Sequence, residues 1–224
     1  TQGGCRAVGF HLKKGTGVAN YGIIADNATE FLVRDVDCEA FTTYGIHLKG
    51  GMWYTVIDTC RLWQNGTGLF SVTDAAGQNG NGLYVHGCLF EGNGGTTVGA
   101  EWGAAQCTFI GNTIEGAQYG LILRGDNSAA HANLGFNVIG NYFEAYSEAH
   151  ILVGRAGKAA YGTILGNYFT GSASIVDQIR LTEMTGGFIG DNVYADANLL
   201  TGCPIQGTAV GENVLIQWPT ATGG

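Results

Sequence analysis

Four near-copies of one short phrase, spread over residues 109–196, constrain the fold of this chain more than any other feature. The copies read FIGNTIEG, VIGNYFEA, ILGNYFTG and FIGDNVYAD, and each combines two apolar residues, a glycine, an asparagine and an alternating apolar and aromatic pair. Their asparagines are spaced by 29, 26 and 25 residues and are Asn112, Asn141, Asn167 and Asn192. A period of about 20 to 50 residues with β-type alternation predicts one strand-containing unit stacked on copies of itself.

A second phrase alternates with the first and supplies another strand to each repeat. It begins as YGIIADN, YGIHLKG and TGLFSVTD, and the glycines of these copies, Gly22, Gly45 and Gly68, are each 23 residues apart. The segment between the two phrases can hold a third strand or a loop. We therefore predict one all-β domain over 1–224, a coil of about nine turns that is roughly 43 Å long at about 4.8 Å per turn. Residues 1–20 are expected to form an irregular entry segment, 21–198 the regular coils, and 199–224 a closing coil or a link to a further domain.

Composition agrees with such a coil and limits the partners. The chain has 39 glycines, two prolines and 12% charged residues, which suits many short strands joined by tight corners. The formal net charge is −8 and Lys and Arg form no cluster, so neither nucleic acid nor a membrane surface is an expected partner. No apolar run has the length of a membrane span.

The cysteines give no sign of a metal or cofactor site. The six cysteines include no CxxC and no metal-ligand spacing with histidine, so we expect neither a metal nor a cofactor. Cys38 and Cys60 lie 22 residues apart, about one repeat. We interpret them as small buried residues in successive layers, although stacked neighbours could also form a disulfide.

Alternation assigns a face to each residue of the two phrases. The first phrase is expected to place an apolar, mainly aromatic column in the core: Trp63, Phe90, Ile114, Phe143, Phe169 and Tyr194. The asparagines share this parity and are expected to bond to one another between coils, because a buried amide needs partners. In the second phrase, Val98 and Ala100 are expected to face inward. Phe70, Ile122 and Leu152 face outward, which predicts that a loop or another subunit covers them.

Three glutamates are the strongest candidates for catalytic residues. Glu91, Glu115 and Glu144 each follow an inward residue, so alternation places them outside and in one column. With the layers in register, neighbours are about 4.8 Å apart and next neighbours about 9.6 Å, which brackets the roughly 5 Å and 6.5–9.5 Å separations of retaining and inverting glycosidases. Crowded like charges also raise a carboxyl pKa, as a general acid requires. The alternative interpretation is three solvated glutamates on turns.

A second acidic cluster offers another catalytic candidate. Asp35 and Asp58 occupy matching places in the phrases VRD and VID, Asp37 lies beside them, and His86 takes the following layer. Two aspartates and a histidine could perform acid–base chemistry, contact substrate or bind a divalent cation. A corner of hydrogen-bonding turn residues is the alternative interpretation.

Sugar binding favours flat aromatic faces beside amide and acid groups, because a pyranose ring has an apolar face and a polar rim. Trp53 and Trp102 lie in or next to loops and are the candidate substrate-binding residues, whereas Trp63 is expected to be buried. The glycine-rich segments 74–82 and 91–99 lengthen the layers around Glu91, so we expect them to form a groove wall.

The repeats of about 25 residues, the glycine–asparagine–aromatic phrase, the inward columns and the asparagine ladder resemble the right-handed, single-stranded parallel β-helix of the pectate-lyase-like superfamily. Within it, residues 21 to about 196 are most similar to the β-helical domains of bacteriophage tailspikes and depolymerases. The calcium carboxylate set of pectate lyases and the signature loops of alginate epimerases are not recognisable. The amino-terminal capping helix usual in this superfamily is also missing, which favours a fragment of a larger protein.

The resemblance implies recognition of a bacterial surface polysaccharide by a homotrimer that is extracellular, on the virion tail. In many tailspikes it also implies cleavage by a glycoside hydrolase or lyase. The expected function is therefore a phage tailspike or tail-fibre domain that binds polysaccharide during host attachment, with depolymerase activity left open. Two alternatives remain: a non-catalytic adhesion or spacer module, and a secreted polysaccharide hydrolase or lyase.

Overall fold

The structure is a computed structural model that describes residues 4–72, 80–93, 98–103, 105–124, 135–154, 159–171, 177–195, 205–207 and 210–217. These residues form 23 β-strands, and among them there is no helix that could cross a membrane. The strands wind into a right-handed parallel β-helix, which confirms the predicted fold class. Each strand pairs in parallel with the strand one coil further along the chain.

Each regular coil contributes one strand to each of three faces, named here sheets I, II and III in the order in which the chain visits them. Sheet I consists of β5 (Trp53–Asp58), β8 (Asn81–His86), β11 (Ala105–Ile110), β14 (Phe136–Ile139), β17 (Ala159–Leu165), β20 (Met184–Gly190) and β23 (Val210–Ile216). Sheet II consists of β6 (Arg61–Trp63), β9 (Leu89–Glu91), β12 (Thr113–Glu115), β15 (Tyr142–Glu144), β18 (Tyr168–Thr170) and β21 (Val193–Tyr194). Sheet III consists of β2 (Tyr21–Asp26), β4 (Tyr44–Lys49), β7 (Thr67–Val72), β10 (Val98–Gly103), β13 (Tyr119–Leu123), β16 (Ala149–Val153), β19 (Asp177–Leu181) and β22 (Ile205–Gly207).

The first two coils differ from the others because sheets I and II are continuous there. The long strands β1 (Arg6–Lys13) and β3 (Leu32–Glu39) span both sheets, and β3 pairs with β5 through its first residues and with β6 through its last. Six described coils, from β5–β7 to β20–β22, have three separate strands. With the first two coils this makes eight described coils, followed by β23, so the count is slightly lower than the nine predicted.

The corner between sheets I and II is built by the predicted asparagine ladder. The ladder consists of Asn112, Asn141, Asn167 and Asn192, and each of the last three accepts a hydrogen bond from the backbone amide of the asparagine one coil earlier, at 2.9–3.0 Å. Cys88 continues the ladder by donating its amide to Asn112 Oδ1 at 2.9 Å. The glycines before the first three asparagines have φ of 61–63°, a left-handed conformation that glycine adopts without strain. The repeated glycine–asparagine phrase thus forms the same corner conformation in successive coils.

The core column of sheet II is as predicted except at one position. Phe90, Ile114, Phe143 and Phe169 are fully buried, and the rings of Phe143 and Phe169 stack at 5.2 Å. The register pairs Leu62 with Phe90 and places Trp63 beside Glu91 on the outer face. The prediction that Trp63 is buried is wrong. Cys60 takes the ladder position in this coil, so Leu62, two residues later, faces inward and Trp63 faces outward.

The outer face of sheet III carries a small apolar cluster. Val98, Ile122 and Leu152 are buried together and Tyr119 packs against them. The prediction that these outward residues are covered therefore holds for Ile122 and Leu152 but not for Phe70, which is partly exposed and stacks on Tyr44 at 4.3 Å. Cover by a loop or another subunit stays a prediction. Val98 was expected to face the core. It faces outward because Gly99 takes the inward place, where an added Cβ would lie 2.8 Å from Ile114.

The buried cysteines are free thiols within the described part of the chain. Cys38, Cys60, Cys88 and Cys107 are buried and unpaired, and Cys5 is exposed. Burial raises the pKa of Cys38 to about 12, so this thiol is unreactive near neutral pH. The interpretation of Cys38 and Cys60 as small core residues in successive layers is confirmed.

An unusual histidine lies inside the coil on sheet III. His150 is fully buried at the layer position that Gly120 occupies one coil earlier, and Tyr146 packs against its ring at 4.7 Å. Neither ring nitrogen has a hydrogen bond of normal geometry among the described residues, although the Gln178 side chain and the Thr170 backbone lie near enough to favour the protonated form. Burial outweighs this effect and lowers the pKa of His150 to about 3.

Acid should therefore destabilise the fold through His150. The ordinary pKa of histidine is 6.5, so between pH 6.5 and about 3 the unfolded chain binds a proton that the folded chain does not. Stability falls by about 1.4 kcal/mol for each unit of decreasing pH in this window. Between pH 6.5 and 4.5 we expect the parent to lose about 2–3 kcal/mol more than His150→Leu, measured by urea unfolding. Equal losses in both proteins would show that His150 is not a buried neutral histidine.

Candidate active site

The three candidate glutamates form one row on the outer face of sheet II. Glu91, Glu115 and Glu144 end β9, β12 and β15, and the register pairs Glu115 with Glu91 on one side and with Glu144 on the other. The predicted column is therefore confirmed, with neighbouring strands about 4.8 Å apart. We call these three residues the acidic row. Their catalytic role stays a prediction.

The two outer members of the acidic row have polar partners. Glu91 accepts a hydrogen bond from Arg61 Nη2 at 2.9 Å, which places a carboxylate against a guanidinium. Glu144 accepts a hydrogen bond from the Tyr142 hydroxyl at 2.6 Å. This bond raises the pKa of Tyr142 to about 12, so the hydroxyl remains a donor across the physiological pH range.

The central member has a different environment. Burial raises the pKa of Glu115, and the charges of Glu144 and Glu91 raise it further. A carboxyl group whose pKa is raised between two hydrogen-bonded carboxylates is better suited than either of them to act as a general acid, with a candidate base or nucleophile one layer away. The acidic row therefore offers a candidate acid and a candidate base or nucleophile on neighbouring strands.

Aromatic and cationic side chains surround the acidic row, and sequence reasoning missed them. Trp63 lies in register beside Glu91 and is only partly buried, with the Arg61 guanidinium 4.4 Å from its ring centroid. Tyr142 and Tyr168 stack at 5.5 Å with an interplanar angle of 10°. The ladder position of Cys60 was the available signal, because it aligns 61–63 with the strand that ends at Glu91.

The second acidic cluster is held in ion pairs. Asp58 accepts hydrogen bonds from Arg34 Nε and His86 Nδ1, both at 2.9 Å. The His86 hydrogen bond lowers the pKa of Asp58, and Arg34 lowers it further. An aspartate held in this way is a poor general acid.

The predicted alignment of Asp35 with Asp58 is wrong by one residue. Arg34 is the register partner of Asp58. Asp35 is a left-handed corner residue with φ 53°, and it accepts a 2.6 Å hydrogen bond from the Thr59 hydroxyl. Asp37 is paired in register with Arg61 on sheet II, away from Asp58. Across the described ranges, His, Cys, Asp and Glu side chains form no group of three that could hold a metal ion.

The two predicted sugar-binding tryptophans differ in exposure. Trp53 is 43% exposed at the start of β5, where its ring can contact a ligand. Trp102 is 1% exposed, because it shares the inward parity of Ala100 on β10 and its ring fills the core. The prediction that Trp102 presents its face to substrate is therefore wrong. Of the predicted groove walls at 74–82 and 91–99, residues 74–79 and 94–97 lie outside the described residues.

Comparison with known proteins supports the fold. No protein-family model matches the chain, and no curated protein matches it in sequence. Among solved structures, the chain is similar to the A-module of the mannuronan C-5 epimerase AlgE4 from Azotobacter vinelandii, with a TM-score of 0.59 and 14% sequence identity. The match covers 94% of this chain and 58% of that structure, so the chain spans little more than half the length of the module to which it is similar. Similarity at this level of identity shows a shared parallel β-helix and nothing about the reaction.

Proposed function

We propose that this chain is a phage tailspike or tail-fibre β-helix that binds a bacterial surface polysaccharide and hydrolyses it at the acidic row. The observation that carries the proposal is the position of Glu115, whose pKa is raised between two carboxylates held in register on either side. Trp63 and Tyr168 offer apolar faces beside these carboxylates, as the apolar faces of sugar rings require.

The geometry supports a double-displacement mechanism. Protonated Glu115 donates its proton to the glycosidic oxygen while the bond from that oxygen to the anomeric carbon breaks. Glu144 attacks the same carbon, because its single neutral hydrogen bond from Tyr142 leaves it more nucleophilic than Glu91, which is paired with Arg61. A separation of about 4.8 Å between acid and nucleophile matches the roughly 5 Å of retaining glycosidases.

The second step regenerates the enzyme. Ionised Glu115 removes a proton from a water molecule, whose oxygen then attacks the anomeric carbon and releases Glu144. Glu91 and Arg61 contact the sugar beside the bond that is cut. The sequence resemblance to tailspikes supports an extracellular homotrimer on the virion tail. The similar epimerase is named for mannuronan, a polysaccharide, which supports a polysaccharide ligand here as well.

A reducing-end assay tests the proposal. The parent chain is incubated with purified capsular polysaccharides and lipopolysaccharide O-chains from a panel of bacterial strains, with binding followed in parallel by affinity electrophoresis. We expect both retardation and new reducing ends with at least one polysaccharide, and light scattering should give a trimer. Retardation without new reducing ends would favour the non-catalytic adhesion module. Activity from a stable monomer would favour a free secreted hydrolase.

A further inference from the structure

A groove of about 640 Å³ lies on the outer face of sheet I, across β8, β11, β14 and β17. Sheet I and sheet II meet at the asparagine corner and face different directions, so this groove is separate from the acidic row. Its volume falls within the range of about 300–1,000 Å³ that small-ligand sites occupy.

The floor of the groove is a line of neutral hydrogen-bonding side chains. Thr108, Asn137 and Thr163 occupy one outward column, since Thr108 pairs in register with Asn137 and Asn137 with Thr163. The described residues offer these three side chains no hydrogen-bond partner, and Asn137 is exposed. Their two hydroxyl groups and one amide group are therefore open to a ligand, and each of the three can both donate and accept a hydrogen bond.

Two exposed tyrosines stand at the ends of this line. Tyr84 on β8 is 41% exposed and Tyr161 on β17 is 55% exposed, and both line the groove. They lie three strands apart, which is about 14 Å along the coil axis. The ring of Tyr161 lies over Gly186, where an added Cβ would be 2.6 Å from the ring. This position holds the ring at the surface, so its face is available to a flat apolar partner.

The electrostatic character of the groove differs from that of the acidic row. None of the described lining residues is Asp, Glu, Lys, Arg or His. A charged ligand would find no opposite charge here to offset the loss of its hydration. The groove therefore favours an uncharged ligand that combines apolar faces with many hydroxyl groups.

We infer that this groove binds a neutral oligosaccharide segment, with sugar rings stacked on Tyr84 and Tyr161 and their hydroxyls bonded to Thr108, Asn137 and Thr163. Aromatic side chains pack on the apolar face of a pyranose, while amide and hydroxyl groups between them match its polar rim. The inference does not rest on the proposed function, because it uses no residue of the acidic row and requires no cleavage.

Isothermal titration calorimetry tests this inference with defined probes. The full chain is titrated with cellohexaose, maltohexaose, mannohexaose and chitohexaose, and with hexagalacturonate as a charged probe. We expect at least one uncharged probe to bind. Tyr84→Ala and Tyr161→Ala should each weaken its affinity by about 3- to 10-fold, the usual size of an aromatic packing contribution. Asn137→Ala should weaken it by a similar factor, through lost hydrogen bonds rather than lost packing.

A matched control separates the groove from the rest of the surface. Tyr21 is 39% exposed on sheet III, so Tyr21→Ala removes a comparable ring elsewhere and should leave the affinity unchanged. Circular dichroism confirms that each variant is folded. The inference is overturned if no uncharged probe binds, if hexagalacturonate alone binds, or if Tyr21→Ala weakens binding as much as the groove variants do. Because no step needs hydrolysis, a result against the groove leaves the acidic row to be judged by its own assay.

Discussion

Glu115→Gln is expected to lower kcat for polysaccharide hydrolysis by about 10²- to 10⁴-fold, the usual contribution of a general acid. Glutamine has nearly the shape of glutamate but cannot donate a carboxyl proton to the leaving oxygen. The Arg61 bond to Glu91 and the Tyr142 bond to Glu144 do not involve Glu115, so both should persist. Initial rates of reducing-end release, at saturating polysaccharide, measure the effect.

The same variant should be at least as stable as the parent at neutral pH. The folded-state pKa of Glu115 is raised, so the folded chain holds a proton that the unfolded chain releases as pH rises past the ordinary glutamate value. The free energy of unfolding of the parent therefore decreases as pH rises through this range. Glutamine does not ionise, so the variant avoids this decrease. Urea unfolding at pH 7 should show an equal or higher midpoint for Glu115→Gln.

Glu30→Gln is the matched control, because Glu30 is an exposed corner residue far from the acidic row in sequence and on a different coil. It should retain the parent kcat. A parent-like kcat in Glu115→Gln would remove Glu115 from the mechanism. A large loss of activity together with a lower unfolding midpoint would point to a structural role instead.

Asn141→Ala is expected to destabilise the fold by about 3–5 kcal/mol, because several buried polar groups lose their partners at once. Asn141 is 1% exposed and accepts bonds from the backbone and side-chain amides of Asn112, at 3.0 and 2.9 Å. Its own side-chain amide donates to Phe109 O and Asn167 Oδ1, both at 3.0 Å. Alanine satisfies none of these groups, so each loses a hydrogen bond in the interior of the coil.

Asn137→Ala makes the same chemical change four residues away, on the outer face of β14, where Asn137 is exposed. Its effect on stability should stay within about 0.5 kcal/mol. Urea unfolding followed by circular dichroism compares the two variants with the parent. A loss below 1 kcal/mol for Asn141→Ala would mean that the ladder contributes little beyond the shape of the corner.

Much of the architecture was predictable because one corner geometry repeats. The glycine–asparagine phrase marks the turn between sheets I and II, and the strand that follows has only three residues. Over so short a distance from the corner, alternation assigns the inward and outward side chains correctly. The column of Glu91, Glu115 and Glu144 was therefore found from the sequence, as were the ladder and the aromatic core.

The errors arose where a corner is formed by other residues. Cys60 replaces the ladder asparagine in its coil, so phrase similarity placed Trp63 inside and aligned Asp35 with Asp58. Trp102 was a different error, since the alternation that places Ala100 inward also places Trp102 inward. The alternation in the sequence therefore indicated a buried Trp102, but its position next to a loop led to the prediction that it is exposed.

Other features depend on contacts that the sequence does not encode locally. Tyr84 and Tyr161 reach the same groove only because three coils of unequal length bring β8 and β17 to one face. The raised pKa of Glu115 depends on its burial as well as on Glu91 and Glu144. The groove and the raised pKa of Glu115 therefore depend on contacts between coils, which the spacing of residues in the sequence predicts only in part.

The anomeric configuration of the first product tests the proposed acid and nucleophile most directly. Proton NMR can follow the earliest reducing ends released by the parent chain from a bacterial surface polysaccharide, before mutarotation mixes the anomers. If Glu115 and Glu144 act one layer apart, these ends have the same anomeric configuration as the linkage that was cut. Inverted ends, unsaturated sugars from a lyase, or no new ends with any polysaccharide of the panel would contradict a retaining hydrolase at the acidic row.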